Sequence, residues 1–304
     1  MIKLFFDPTL LESPKSETYW AYNQIDTVER PEYSRYNISR NNLITESSLE
    51  ESDFVFIPYK WDGNHNFTHG ELCKKAVAAN KKIIAFFNDD HEGYIGMPNS
   101  SSFYLFRTST SMKTRKENEI VMPAFSEEFS FQPPNHKAIK HQVVSFCGNI
   151  QDPHRYPIFL ELERQANLVK NFIYRNGFWA PEIVDKRLAK QHFIDNLLRG
   201  LFGVCIRGKG NFSYRLYETL ALGRIPIIIN TDLQLPLKQS VDWGKHAIIV
   251  EKTDIPQLNQ KIQNFLSDVD PVEVCLSNKQ LYDEYFSPCG LLKHFNLYLQ
   301  ESKV

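Results

Sequence analysis

The sequence predicts an α/β protein of two domains, and three observations carry that prediction. The first is the stretch 202–232, FGVCIRGKGNFSYRLYETLALGRIPIIINTD. A short apolar run, a glycine-bearing turn, a helix-spaced segment and a β-branched run follow one another there, as in a right-handed strand, helix, strand unit with a parallel strand pair. The second is a set of short apolar runs at 2–6, 53–57 and 83–87 that each give way to polar, titratable residues. The third is the Pro-containing stretch 123–134, where composition shifts and a domain boundary is expected. The 304 residues suffice for two domains with separate cores: 1–125, a linker 126–140, and 141–304.

The first strand, 2–6, ends at Asp7-Pro8, and a polar stretch with Tyr19, Trp20, Tyr22, Tyr33 and Tyr36 runs on to about Thr45. Such aromatics suit stacking on sugars as well as ordinary packing. Residues 53–57 form the next strand, 61–69 a loop and 71–79 a helix. The buried strand 83–87 then ends in Asn88-Asp89-Asp90-His91-Glu92-Gly93, a strand end loaded with titratable groups. Short strands are expected at 103–107 and 120–122.

The second domain opens with a strand at 143–146 that runs into Gly148-Asn149, with Arg155 close by in sequence. Leu188, Phe193 and Leu197 mark a helix over 185–198. Ser213 stands before, and Gly223 just after, a helix carrying Leu216, Leu220 and Ala221. Ile255, Leu258, Ile262 and Phe265 mark an amphipathic helix, and Leu291, Leu292, Phe295 and Leu299 a terminal one.

The chemistry offered around Ser213 is anion binding. Backbone amides at Gly210 to Ser213 would point out of a helix N-terminus, and Arg207, Lys209 and Arg215 add positive charge there. A phosphate or diphosphate suits such a place, and Gly148, Asn149 and Arg155 could face the same anion. Glu218, one turn deeper on the face of Arg215, can accept hydrogen bonds from two vicinal ribose hydroxyls. An ordinary surface pair between Arg215 and Glu218, worth ~0.2–0.5 kcal/mol, explains the same spacing.

Two better-known phosphate motifs fit less well. GVCIRGKG from Gly203 matches GxxxxGK, but Gly210 stands where a P-loop needs Ser or Thr. Gly208, Gly210 and Ser213 with Asp232 imitate a dinucleotide fingerprint, which would make the protein an NAD-dependent oxidoreductase. Bulky Phe212 and Tyr214, and three nearby cationic side chains, oppose that reading.

RGKGNFSYRLYETLALGRIPIIINTD, followed by LPLKQSVDW and by HAIIVE, resembles the C-terminal half of exostosin-type glycosyltransferases. In that family an Arg-Gly element, a Ser-x-Arg-x-x-Glu helix, a Gly-x-x-Pro turn and a Leu-Pro…Asp-Trp segment occur in this order. SDFVFIP at Ser52 and VSFCGN at Val143 resemble two further strands of the family, and the similarity covers about a third of the chain. The resemblance implies a GT-B fold, two Rossmann-like domains facing a cleft, in which a terminal helix often crosses back to the first domain. It also implies a nucleoside-diphosphate sugar donor, inversion at the anomeric carbon and no obligatory metal.

Composition narrows the partners. A formal net charge of -1 excludes a broad basic footprint for nucleic acid. No apolar run reaches the roughly 20 residues needed to span a bilayer, so membrane association would be peripheral at most. Met1 leads into IKLFF without the cationic region and cleavage site of a secretory signal, and a cytoplasmic location is expected. Family members in animals and plants are usually anchored in the Golgi, from which this sequence departs. Five cysteines without a CxxC read as reduced core thiols. The sequons at Asn37, Asn66, Asn99 and Asn211 read as incidental, since a glycan on Asn211 would sit on the donor loop.

An inverting transfer must deprotonate the acceptor hydroxyl on one face of the sugar and stabilise the departing diphosphate on the other. Arg207, Lys209, Arg215 and the helix amides supply the second function without Mg2+. Asp89-Asp90 is adjacent where a DxD metal motif would be spaced. The base is expected from the first domain, among Asp7, Asp62, His65, Asp89, Asp90 and His91. Asp7 is favoured by its place after the first strand, and Asp89 and Asp90 by local density. The reading reached is a metal-independent glycosyltransferase using a nucleoside-diphosphate sugar, UDP-linked, on a glycan or lipid-linked glycan acceptor in surface polysaccharide synthesis. The alternatives are a non-catalytic nucleotide-binding partner subunit and the oxidoreductase.

Overall fold

A computed structural model describes residues 2–7, 10, 43–63, 67–111, 113–125, 133–177 and 180–300. The aromatics expected between residues 19 and 36, together with His65, lie outside the described residues. Two compact units divide the chain. One comprises Met1–Glu127, Gln234–Gln239 and Ser287–Val304, the other Glu128–Leu233 and Ser240–Phe286. The first unit thus includes 234–239 and the terminal segment 287–304 besides the residues before 128. The expected linker also contains a helix, α2 (His136–His141), whose N-terminus is capped by the Asn135 side chain.

In the first unit, six parallel strands, β1 (Ile2–Phe5), β2 (Ile44–Glu46), β3 (Phe54–Lys60), β4 (Lys82–Phe87), β5 (Phe103–Arg107) and β6 (Glu119–Val121), stand in the order β2-β1-β3-β4-β5-β6. Side chains alternate across a strand. Val55 and Ile57 of β3 accordingly join a core with Leu72, Cys73 and Ala76 of α1 (Phe67–Ala78). Phe54 packs edge-on to Phe295, and Phe106 of β5 stacks on the same ring with centroids 4.8 Å apart. Both faces of the sheet are covered, which is why its strands read as nearly continuous apolar runs.

The second unit holds β7 (Val144–Asn149), β8 (Lys170–Arg175), β9 (Phe202–Cys205), β10 (Ile225–Ile229) and β11 (Ile248–Val250), all parallel, in the order β11-β10-β9-β7-β8. Its core gathers Val144, Phe146, Val204, Ile227 and Val250 with Ile158, Phe159 and Leu162 of α3 (Tyr156–Arg164). Each such buried aliphatic or aromatic side chain contributes about 1.5–3 kcal/mol. The helices α4 (Lys186–Arg199), capped by Asp185, and α5 (Tyr214–Ala221) fall where the spacing predicts. Gly223 takes φ 61°, its N–H reaches Leu220 O and the Arg224 N–H reaches Thr219 O, both at 2.9 Å. That Schellman pair ends α5.

The remaining helices differ from expectation in detail. Ile255 belongs to a 3-10 turn, Lys252–Gln257, because Pro256 interrupts the α-helical bonding before α6 (Leu258–Asp268). After α7 (Pro271–Leu281), the terminal segment is two short helices, α8 (Pro288–Lys293) and α9 (Phe295–Gln300), parted at His294. Among the described residues no helix is long and apolar enough to cross a membrane.

Each unit is built on one parallel sheet, and the two sheets share the same reversal of strand order. Numbered within each unit, the sheets run 2-1-3-4-5, with a sixth strand added in the first. In sheets of this order, ligands bind outside the carboxyl ends of the strands where the order reverses. Those places are β1/β3 in the first unit and β7/β9 in the second.

Candidate active site

At the second unit's reversal, β7 and β9 pair only at Val144–Phe202 and Ser145–Gly203. Beyond that register the two strand ends are free to part. Gly203 lets α5 lie close on β9, since a Cβ there would meet Thr219 Oγ1 at 2.6 Å and Leu197 Cδ2 at 3.0 Å. The start of α5 is thereby held at the carboxyl ends of the strands.

Two arginines occupy the opening. Arg215, in the first turn of α5, donates from Nη2 to Cys147 O at 2.6 Å on β7. Its guanidinium lies 3.8 Å from the ring centroid of Phe193 on α4 and 5.8 Å from that of Phe146. Nε stands 3.4 Å from Glu218 Oε2, an ion pair without hydrogen-bond geometry, and Nη1 is buried with no partner. The Arg215 and Glu218 side chains are each 17% exposed, which rules out the ordinary surface pair.

Arg155, at the N-terminus of α3, donates from Nε to Arg207 O at 2.7 Å and from Nη1 to Asn149 O at 2.9 Å. Burial, together with the neighbouring Arg215 charge, pushes its guanidinium down to about 10. Arg155 is thus a half-buried strap between strand ends, not the solvated helix-start residue that its position allows.

The turn between β9 and α5 is compact. Arg207 is buried and folds back so that Nη2 donates to Lys209 O at 2.9 Å, while Lys209 itself is exposed. Gly210 is buried, and the Asn211 side chain, 1% exposed, accepts from Thr231 Oγ1 at 2.8 Å beyond β10. Ser213 holds the N-cap position of α5 but makes no side-chain cap bond. Its Oγ is buried with no partner in a residue only 4% exposed. An N-cap serine ordinarily satisfies a helix N–H. Here the hydroxyl and Arg215 Nη1 are both left for something else.

Of the sequence-expected donor residues, the structure brings Gly148, Asn149, Arg155, Arg207, Arg215 and Glu218 around one opening, with Gly210 and Ser213 in the adjoining turn. Gly148 lies beside Arg215, whose Nη2 would be 3.8 Å from an added Cβ. The Asn149 side chain is committed to the Gln151 N–H at 2.8 Å. Sequence reasoning missed Phe193 as the ring under Arg215, having used it only to mark the spacing of a helix. It also missed the carbonyls of Cys147 and Asn149, which carry no side-chain signal.

The dinucleotide fingerprint loses its context. It belongs to the first strand-helix turn of a sheet, whereas Gly208 and Gly210 follow the unit's third strand. Asp232, with φ 60°, closes a turn in which its N–H bonds Asn230 Oδ1 at 3.0 Å. Val204 and Cys205, inside the P-loop-like match, are buried strand.

In the first unit, the base candidates lie at separate strand ends. Asp7 follows β1, is 7% exposed and has Lys75 Nζ 4.0 Å away. Asp89 and Asp90 follow β4, which β3 separates from β1. Asp89 binds Lys60 Nζ at 2.5 Å and accepts from the His91 N–H at 3.0 Å. Partial burial would raise its pKa, but those bonds outweigh it and hold the carboxyl below the usual range. Asp90 is exposed and its carbonyl accepts from Ser109 Oγ at 3.1 Å. Near the end of β3, the Tyr59 hydroxyl bonds His69 Nε2, and burial with the Asp62 charge pushes the phenol up to about 12. Among the described residues no three His, Cys, Asp or Glu side chains are gathered as a metal ion would need.

Two parallel sheets of the 2-1-3-4-5 order, with two partly buried arginines at the reversal of one, define a doubly wound α/β protein. Comparison with known proteins gives the particular family: residues 97–266 match the Exostosin GT47 domain, and the chain belongs to that family. It is 34% identical over 152 residues to a Physcomitrium patens protein named "probable glucuronosyltransferase 47 A", covering 48% of this chain and 32% of that protein. It is 31% identical over 94 residues to a rice protein named as a probable glucuronosyltransferase, covering 31% and 21%. It is 29% identical over 89 residues to an Arabidopsis thaliana protein named as a probable β-1,4-xylosyltransferase, covering 29% and 20%. The matched part is therefore about a fifth to a third of each relative's length. Among solved structures, the chain is similar to HepE of Anabaena in complex with UDP, with TM-score 0.44 and 9% identity over 99% of this chain and all of that one. It is also similar to a glycosyltransferase of Rickettsia africae, with TM-score 0.45 and 10% identity over 99% and 98%.

Proposed function

We propose that the chain is an inverting glycosyltransferase that takes a sugar from a nucleoside-diphosphate sugar, UDP-linked, and places it on a hydroxyl of a glycan or lipid-linked glycan in surface polysaccharide synthesis. The observation that carries the reading is the pair of buried polar atoms without partners, Ser213 Oγ and Arg215 Nη1, beside the N-terminus of α5. Leaving a buried polar group unsatisfied costs about 1–3 kcal/mol, and an anion seated there would recover it. A diphosphate brings several acceptor oxygens to the hydroxyl, the guanidinium and the helix amides together. Membership of the family supports a sugar nucleotide as the source of that diphosphate.

In this reading Arg215 and the amides of Gly210 to Ser213 meet the negative charge that grows as the diphosphate leaves. Loss of one such donor costs about 3 kcal/mol of barrier at comparable sites. Glu218, held against Arg215, accepts the ribose hydroxyls. The acceptor proton goes to a first-unit carboxylate, Asp7 or Asp90, because Asp89 is neutralised by Lys60 and is a weak base. Metal independence belongs to the same proposal, cationic side chains taking the place of a divalent ion.

The reading is tested by following UDP release from UDP-glucuronic acid and UDP-xylose, with and without oligosaccharide acceptors, in EDTA. Acceptor-stimulated release that Arg215→Ala abolishes is the expected result. Tight UDP binding without release from any donor would leave the non-catalytic partner subunit. Release that EDTA stops and Mg2+ restores would overturn metal independence.

A further inference from the structure

We infer that Arg155 is a positioning residue for the donor site, a strut that sets the width of the opening between β7 and β9 and thereby fixes the phosphate-facing turn at Arg207 to Gly210. The inference rests on the nucleotide reading above and deepens it.

The geometry is that of a brace. The ladder between β7 and β9 stops at Ser145–Gly203, so the last residues of the two strands have no common backbone bonds to hold them at a fixed separation. Arg155 supplies the missing link from a third element. Nη1 holds Asn149 O at the end of β7, Nε holds Arg207 O just past β9, and Nη2 faces Ile206 O at 3.4 Å. A planar guanidinium can reach carbonyls on both sides of a gap at once, which a lysine ammonium on a flexible stem cannot do with the same geometry.

The cation stands there against three electrostatic costs. It occupies the N-terminal end of α3, where the helix dipole disfavours positive charge. It is substantially desolvated, and it neighbours Arg215, a like charge, which the Asp152 carboxylate offsets only in part. Its contribution is therefore geometric. Gly208 forms its seat: an added Cβ would stand 3.3 Å from Arg155 Nη2, so even alanine would crowd the brace. Gly208 has no left-handed φ, and the loss of space is the effect to be expected there.

The test is a calorimetric titration of the full chain with UDP, applied to wild type, Arg155→Gln, Arg155→Lys, Gly208→Ala and the Arg155→Gln/Gly208→Ala double variant, with melting temperature recorded for each. A strut predicts at least a tenfold loss of UDP affinity in Arg155→Gln and no rescue by Arg155→Lys. It also predicts a loss in the double variant no larger than in Arg155→Gln alone, because both changes remove one brace. Gly208→Ala keeps the test open should the Arg155 variants fold poorly. Full UDP affinity in Arg155→Lys would show that charge alone matters and would overturn the strut. Losses that add in the double variant would overturn it as well, as would lowered melting temperatures with unchanged UDP affinity. Absence of UDP binding in the wild type would remove the nucleotide reading and the strut together, which none of the other outcomes does.

Discussion

The two units use buried arginine at strand ends in opposite ways. Arg107, at the end of β5, is paired with Glu119 at 2.7 Å, both side chains 1% exposed, and donates to the carbonyls of His91 and Gly93. Thr108, Ser109 and Thr114 bond the carbonyls of Asp89, Asp90 and Glu92. Five successive carbonyls of that loop are thus held by side chains. Arg215 has its acid at 3.4 Å from Nε, without hydrogen-bond geometry, and both Nε and Nη1 are buried without a hydrogen bond. One arginine has a close internal acid, and the other is the one proposed to meet a ligand. Arg107 does retain one buried unpartnered atom, Nε, so the contrast lies in the counter-charge and in what the η nitrogens reach.

The largest expected effect breaks the structural side of the contrast. Glu119→Gln strands the Arg107 charge in a buried site and should cost about 3–5 kcal/mol, seen as a lower urea midpoint. UDP affinity of the protein that remains folded should not change. An unaltered midpoint would show that the pair is not an internal brace. Next is Arg215→Ala, which should weaken UDP at least tenfold, about 1.4 kcal/mol or more, while moving the midpoint less than Glu119→Gln does. A fall in stability equal to that of Glu119→Gln, with UDP affinity kept, would erase the difference between the two arginines. Glu218→Gln follows: the ribose contact should weaken UDP severalfold and leave uracil-free pyrophosphate unaffected, which a titration with both ligands reads directly.

The smallest effect concerns Asp89. Its folded pKa is lowered, so the Lys60 pair contributes stability above the unfolded carboxylate pKa and loses it as pH falls through the folded one. Both side chains are about two-fifths exposed, 41% and 38%, which limits the contribution to below ~1 kcal/mol. Asp89→Asn should therefore flatten the acid side of the stability profile slightly and change little else in urea titrations from neutral pH into mild acid. A loss of transfer activity far beyond that stability change would return Asp89 to the base candidates.

The elements that were legible in the sequence are those whose packing is uniform along the chain. β5, β10 and α5 are buried on continuous faces and bounded by strong punctuation such as Ser213 and Gly223. β8 was missed because KNFIYR, at the sheet edge, is half-buried and mixes charge with aromatics. α7 was missed because its start at Pro271 follows a loop and its buried residues include Asn278 and Cys275. At the site, charge and helix position pointed to Arg207, Arg215 and Glu218. Which arginine is strapped to carbonyls and which keeps buried nitrogens without a hydrogen bond depends on segments more than fifty residues apart, as in the bond from Arg155 to Arg207 O. No spacing in the sequence encodes that.

The ends of β7 and β9 are proposed to seat the diphosphate of a sugar nucleotide. Calorimetric titration of the purified chain with UDP, GDP and NAD in EDTA, repeated on Arg215→Ala, tests it most directly. Saturable binding of UDP that Arg215→Ala weakens at least tenfold, with no binding of NAD, is the expected result. Binding of NAD alone, or UDP affinity indifferent to Arg215, would contradict it.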